Sequence, residues 1–129
     1  MNCPVCDKPM IVLEVQQIEI DHCARCGGTW LDGGELELLL DGARNRDATL
    51  SRMTREPGAR EASWRCPICR KRMDKVACGT TRRVLIDKCA RGDGIWFDGG
   101  ELRDVIAQGE FPGENRIYRL LNDAFGGGA

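Results

Sequence analysis

The chain is poor in the groups that most folds and most enzymes depend on. Aromatic residues make up 5% of its 129 positions, so any one stretch can assemble only a thin apolar interior. His22 is its one histidine. No Ser/His/Asp set, second histidine or phosphate-cradling glycine loop accompanies it, so a complete catalytic constellation is missing. No run approaches the roughly 20 apolar residues of a membrane-spanning helix, which excludes a helical span. Nor does a basic and then apolar leader precede the first motif, at Cys3, so a cytoplasmic location is expected.

What the chain has instead is cysteine, eight residues of it, placed by an internal repeat. Cys23-Ala-Arg-Cys26-Gly-Gly-Thr-Trp30-Leu-Asp32-Gly-Gly-Glu35-Leu36 returns 66 residues later as Cys89-Ala-Arg-Gly92-Asp93-Gly-Ile-Trp96-Phe-Asp98-Gly-Gly-Glu101-Leu102. Upstream of each copy stands a second landmark, Cys3-Pro-Val-Cys6 and Cys66-Pro-Ile-Cys69. The repeat divides the chain into a module at residues 1–42, a connector at 43–64, a second module at 65–110 and a tail at 111–129. Modules of about 40–45 residues sit at the size where a chain needs a metal or disulfides to fold. In a reducing compartment, paired C-x-x-C units read as metal sites.

In the first module Cys3, Cys6, Cys23 and Cys26 are the candidate ligands. Four thiolates are soft donors that favour a tetrahedral, redox-inert ion, Zn²⁺. Between the pairs, residues 10–15 are rich in β-branched side chains, and Ile18 and Ile20 alternate with Glu19 and Asp21, the period of a half-buried strand. A hairpin turning near Val15 returns both cysteine pairs to one end. Trp30 and Leu31 form a short third strand. Asp32 and Glu35 read as a capping box opening a helix over 33–40, with Leu36, Leu39 and Leu40 on one face and Gly42 as its stop. His22 is expected to be a surface strand residue and not a fifth donor.

The second module repeats this plan with one ligand changed. A hairpin of residues 73–78 and 82–88 follows Cys69, then Cys89, the Trp96 strand and a helix burying Leu102, Val105 and Ile106. Gly92 stands where the fourth cysteine belongs. Cys78 is the remaining sulfur, but at the hairpin tip an extended strand carries it roughly 30 Å from the other three, and a free, partly buried thiol is expected there. Asp93, between Gly92 and Gly94, is the candidate fourth ligand beside Cys66, Cys69 and Cys89, since a carboxylate is an acceptable zinc donor. Water in that place, or loss of the second metal, are the alternatives. The fold class is thus a small metal-stabilised α+β chain holding two Zn²⁺ ions, each module a β-hairpin, a third short strand and a short capped helix.

Charge is uneven. Residues 1–42 carry a net −6, residues 43–92 a net +9 and residues 93–129 a net −4. The basic zone points to a nucleic-acid or acidic-protein partner, met through Arg70, Lys71, Arg72, Arg82 and Arg83, or to a solvated linker. The connector, with five arginines and a Pro57-Gly58 break, is expected to be mobile, with a partial helix over 47–55. Residues 114–125 read as an amphipathic helix. Too short to stand alone in water, it docks on its own chain or forms a homo-oligomer contact. Gly126, Gly127 and Gly128 are expected to be disordered.

The combined pattern, Cys-Pro-x-Cys with Cys-x-x-Cys-Gly-Gly-x-Trp-Leu-Asp-x-Gly-Glu-Leu, resembles the transcription factor IIB-type zinc-finger family of small zinc ribbons, here in two tandem copies over residues 2–41 and 65–103. The resemblance implies Zn²⁺ on Cys3, Cys6, Cys23 and Cys26, and on Cys66, Cys69 and Cys89. Some members carry histidine as the last ligand where Asp93 stands. The expectation is therefore a non-enzymatic adaptor that binds protein or nucleic acid. A thiol–disulfide redox protein using the C-x-x-C pairs is the alternative, and hydrolysis at an open second zinc a lesser one.

Overall fold

The computed structural model describes residues 1–60 and 62–125; the glycines expected to be disordered lie outside the described residues. Strands β1 (Ile11–Val15) and β2 (Ile18–His22) form the first hairpin. Gln16 and Gln17 join them with φ of 49° and 66°, the left-handed pair that a two-residue hairpin turn requires. Strand β3 (Thr29–Asp32) pairs with β2, and α1 (Glu35–Leu39) follows. Helix α2 (Arg46–Ser51) and strand β4 (Thr54–Arg55) come from the connector. The second module supplies β5 (Asp74–Cys78), β6 (Val84–Lys88), β7 (Gly94–Phe97) and α3 (Glu101–Ala107), and the tail supplies α4 (Arg116–Ala124). Among the described residues no helix is long and apolar enough to cross a membrane.

Among the described residues all seven strands belong to one antiparallel sheet, in the order β1-β2-β3-β7-β6-β5-β4. The modules join where β3 meets β7, with Trp30 opposite Trp96, Leu31 opposite Ile95 and Thr29 opposite Phe97. Trp96 is the repeat equivalent of Trp30, so this pairing relates the halves by a local two-fold axis, an isologous contact within one chain. The glycines of the repeat belong to it. A Cβ on Gly28 would fall 2.2 Å from the Trp96 ring, and one on Gly94 would fall 2.5 Å from the Trp30 ring. Each tryptophan therefore lies over the other module's glycine. The turns lock in the same reciprocal way. A Cβ on Gly33 would meet the Gly92 carbonyl at 2.7 Å, and one on Gly99 the Cys26 carbonyl at 3.0 Å.

Period-2 alternation sends the sheet's two faces to different jobs. Val15, Ile20, Leu31, Ile86 and Phe97 face the helices and pack with Leu36, Leu39, Leu102 and Ile106. Trp30 and Trp96 face the other way, between Cys3, Cys23, Cys66 and Cys89. The thin core expected of each module is real only for a module in isolation, because here the two pool their apolar residues on both faces of a common sheet.

The helix starts differ from the expected capping box. Gly34 (φ 91°) and Gly100 (φ 85°) precede α1 and α3, and neither helix has a side-chain N-cap bond. Half of the box is present: Glu35 accepts from the Asp32 amide at 2.7 Å, and Glu101 from the Asp98 amide at 2.9 Å. The other half is missing because the aspartates are engaged elsewhere. Asp32 accepts the Trp30 indole N–H at 2.8 Å and Asp98 that of Trp96 at 3.0 Å.

The connector, expected to be mobile, is tied to the second module. The Arg83 guanidinium donates to the carbonyls of Arg52 (2.7 Å), Ala77 (3.0 Å) and Gly79 (2.7 Å) and to the Thr54 hydroxyl (2.9 Å). Asn45 donates to the Gln108 carbonyl at 2.8 Å and accepts from the Glu110 amide at 2.9 Å. Helix α4 buries Ile117 and Leu121 in the common core, so it docks on its own chain. Asn115 caps it, accepting from the Tyr118 amide at 3.1 Å.

Candidate metal centres

Each C-x-x-C pair sits on a tight turn that the backbone ties to sulfur. The amides of Val5 and Cys6 point at Cys3 Sγ (3.4 and 3.3 Å), that of Ile68 at Cys66 Sγ (3.4 Å) and that of Cys26 at Cys23 Sγ (3.5 Å). Such donors favour the thiolate. Asp7 and Arg70 close the two N-terminal turns at φ 56° and 68°. The hairpins then return Cys23 and Cys89 to the same ends of the sheet.

The result is two groups of four donors, Cys3, Cys6, Cys23 and Cys26, and Cys66, Cys69, Cys89 and Asp93. Within each, the ligand atoms lie within 4.8 Å of one another. A tetrahedral ion with bonds of about 2.3 Å to sulfur needs sulfur–sulfur edges of about 3.8 Å, and about 3.6 Å where one donor is a carboxylate oxygen. Cys3 Sγ and Cys26 Sγ are 3.7 Å apart, and Cys69 Sγ and Cys89 Sγ 3.8 Å. Asp93 Oδ2 lies 3.6 Å from Cys66 Sγ and 3.5 Å from Cys89 Sγ. Each quartet therefore has the dimensions to hold one tetrahedral ion.

Asp93 reaches its place through a shift in the turn. In the first module the left-handed residue is Gly27 (φ 80°), after Cys26, and its amide donates to the Cys23 carbonyl at 2.8 Å. In the second it is Gly92 (φ 89°), one position earlier, and its amide donates to the Cys89 carbonyl at 3.0 Å. The shorter turn brings residue 93 to the donor position that Cys26 fills in the first module. Both turns close alike, the Cys23 amide on the Gly28 carbonyl (2.9 Å) and the Cys89 amide on the Gly94 carbonyl (3.0 Å).

The electrostatics distinguish the two groups. Burial pushes the Cys3 thiol up, and it pushes Cys66 up to about 12. Against the same burial, backbone amides from Cys26 and Arg25 lower Cys23 to about 7. Burial works against Asp93 ionising as well, yet the Arg91 guanidinium and the Cys69 and Cys89 thiols hold its carboxyl below the usual range. Arg91 Nε donates to Oδ1 at 3.3 Å and Nη2 lies 3.1 Å from Oδ2. Asp93 is thus an anion before any metal arrives, whereas the thiols must lose protons to bind one.

Other residues singled out in the sequence lie elsewhere. His22 is buried, not exposed: its Nδ1 is 3.2 Å from the Thr29 hydroxyl, its ring stacks on Phe125 with centroids 4.3 Å apart, and it belongs to neither quartet. Burial and then the Arg103 charge keep it below its ordinary pKa. Cys78 ends β5 at the hairpin tip, as expected, but it is fully buried in the helix-side core and not partly buried, and burial raises it to about 11. Of the basic residues expected to meet a partner, Arg70, Lys71 and Arg72 are exposed. Arg82 pairs with Asp104 at 3.4 Å, and Arg83 is consumed in holding the connector. Sequence reasoning missed Arg91, whose signal was its place between Cys89 and Asp93. It also missed the role of Gly28 and Gly94, whose only trace was their recurrence in the repeat.

A family model described as transcription factor zinc-finger matches the chain twice, over residues 2–42 and 65–108. No curated protein and no solved structure matches it.

Proposed function

Because the chain belongs to the transcription factor zinc-finger family, we propose that it is a zinc-stabilised, non-enzymatic adaptor, with one Zn²⁺ on Cys3, Cys6, Cys23 and Cys26 and a second on Cys66, Cys69, Cys89 and Asp93. The observation that carries this reading is the pair of four-donor groups whose ligand atoms lie within 4.8 Å of one another, with edges such as Cys3–Cys26 at 3.7 Å and Asp93–Cys89 at 3.5 Å that suit a tetrahedral ion. A bound zinc would supply a cross-link between the two ends of each hairpin. Asp93 in the fourth place bears on the hydrolytic alternative, since a catalytic zinc keeps one position open for water. With four protein donors at both sites, the ions brace a surface and leave the work to that surface.

The basic footprint for nucleic acid is smaller in the fold than in the sequence. Of the five residues expected to form it, Arg83, Arg82 and Arg72 are engaged within the chain, Arg72 donating to the Ser63 carbonyl at 2.7 Å, and Arg70 and Lys71 remain. Two phosphate contacts give only modest, salt-sensitive binding, so a protein is the favoured partner. Native mass spectrometry of the purified chain tests the reading, with two zinc ions per chain expected. A folded, metal-free chain that is unmoved by chelators, or one with Cys3–Cys6 or Cys66–Cys69 disulfides in place of metal, would overturn it.

A further inference from the structure

The local two-fold axis allows each surface of one module to be compared with its counterpart, and one counterpart is uncovered. On the second module the hairpin's outer strand, β5, is covered. Thr54 and Arg55 of β4 pair with Ala77 and Val76, and the Glu56 amide donates to the Lys75 carbonyl at 2.8 Å. Counted from the N-terminal knuckle of each module, Lys75, Val76 and Ala77 correspond to Val12, Leu13 and Glu14 of β1. There β1 is the last strand of the sheet, and no described residue pairs with its outer side. The consequence shows in exposure: Lys75 is 7% exposed, whereas Val12 is 60% and Ile11 49%. An apolar edge strand left open is a ready template for another chain.

The chemistry beside that edge specifies what suits it. In the second module Lys75 Nζ lies 2.8 Å from Asp87 Oδ1, both groups buried. Asp21 is the repeat equivalent of Asp87, but Val12 stands opposite it where a lysine stands in the other half. Glu14 and Glu19 also face each other directly across β1 and β2, on the same face as Val12 and Asp21. Like charges so placed repel. No ion pair among the described residues reaches Glu14, Glu19 or Asp21. This half of the sheet thus lacks two things that the other half has, a covering strand and a side-chain cation paired with its acids; the Met1 ammonium acts on Asp21 only from beyond ion-pair distance.

We infer that the β1 edge of the first module binds an extended, basic segment of a partner protein, which adds a strand beside Val12, Leu13 and Glu14 and sets lysine or arginine over Glu14, Glu19 and Asp21. Strand addition of this kind takes affinity from main-chain hydrogen bonds and specificity from alternate side chains. The inference rests on the adaptor reading and names the class of its partner.

The test is an NMR titration of the zinc-loaded, ¹⁵N-labelled full chain with an acetylated and amidated ten-residue peptide of alternating lysine and valine. A peptide with glutamate for lysine serves as control. The expected result is saturable shifts and slowed amide exchange at Ile11–Val15, no response to the glutamate peptide, and at least tenfold weaker binding by the exposed-site double variant Glu14→Lys/Glu19→Lys. Unchanged amides at 11–15, equal affinity in the charge-reversed variant, or shifts centred on another surface would overturn the docking. So would protection of β1 without peptide in a chain of doubled mass, which would make a second copy the occupant. Native mass spectrometry on the same samples keeps the two readings apart: two zinc ions with no response to peptide removes the docking and leaves the zinc adaptor standing.

Discussion

Gly92 and Asp93 show how a small change in a turn alters a candidate metal site. Cys26-Gly27 in the first module becomes Gly92-Asp93 in the second, and the left-handed glycine moves one position earlier with it. Neither change works alone, since a glycine at 92 removes a donor and the carboxylate replaces it only if the chain turns sooner. Arg91 then clamps the carboxylate through Nε and Nη2, as partners behind a ligand commonly do. Asp93→Ala is expected to speed loss of one zinc ion to a chromogenic chelator while the other is retained. Arg91→Ala is expected to weaken the same site about 10–100-fold, and Asp93→Cys to slow its release below wild type. Identical release curves for Asp93→Ala and wild type would remove Asp93 from the site. That Asp93 gathers with Cys66, Cys69 and Cys89 was legible in the sequence, because a carboxylate flanked by glycines stood next to the missing cysteine. The Arg91 clamp was not, because arginine at that position also occurs in the first module, where the ligand is cysteine.

At the level of elements, the repeated hairpin, third strand and helix could be read from alternation and turn residues, since those signals are local. What local signals cannot carry is the partner of an exposed edge. Nothing in residues 29–32 shows that their outer side pairs with residues 94–97; only the glycines at 28 and 94, needed by a ring 68 or 64 positions away, hold that information. The connector was misjudged for the same reason. Its composition suits a mobile stretch, but Arg83, far along the chain, satisfies the Arg52 carbonyl and Thr54 hydroxyl and fixes β4 against β5. A residue expected to meet phosphates is thus a tie between elements. Arg83→Ala is expected to raise hydrogen exchange in residues 46–55 by tenfold or more, with zinc content and the exchange of β1–β3 unchanged. Slow exchange across the connector in that variant would show that other contacts hold it.

In the whole molecule the two metal groups are not separate. Trp30 and Trp96 pack between Cys3, Cys23, Cys66 and Cys89 in one apolar cluster, and the Gly33 amide of the first module donates to the Asp93 carbonyl of the second at 3.0 Å. Acid reaches both sites through their thiols. A zinc-bound thiolate has given up a proton that it keeps in the metal-free chain, with Cys66 pushed up to about 12 by burial and even Cys23, at about 7, half protonated near neutrality. The metal-bound state therefore holds fewer protons, so its stability grows with rising pH and is lost as pH falls. Asp93 is already ionised, so the second site has at most three protons to release against up to four at the first, and its affinity should fall less steeply with acid. The shared cluster adds a coupling between them. Emptying the second site frees the turn carrying Gly92 and Asp93, and with it the contact under Gly33 and the packing of Trp96 on Gly28. The double variant Cys66→Ser/Cys69→Ser is accordingly expected to lose its second zinc and also to release the first at least tenfold faster, with tryptophan emission shifting to the red as the rings meet water. A first site that keeps its wild-type release rate and unshifted emission in that variant would show two independent ribbons that merely share a sheet.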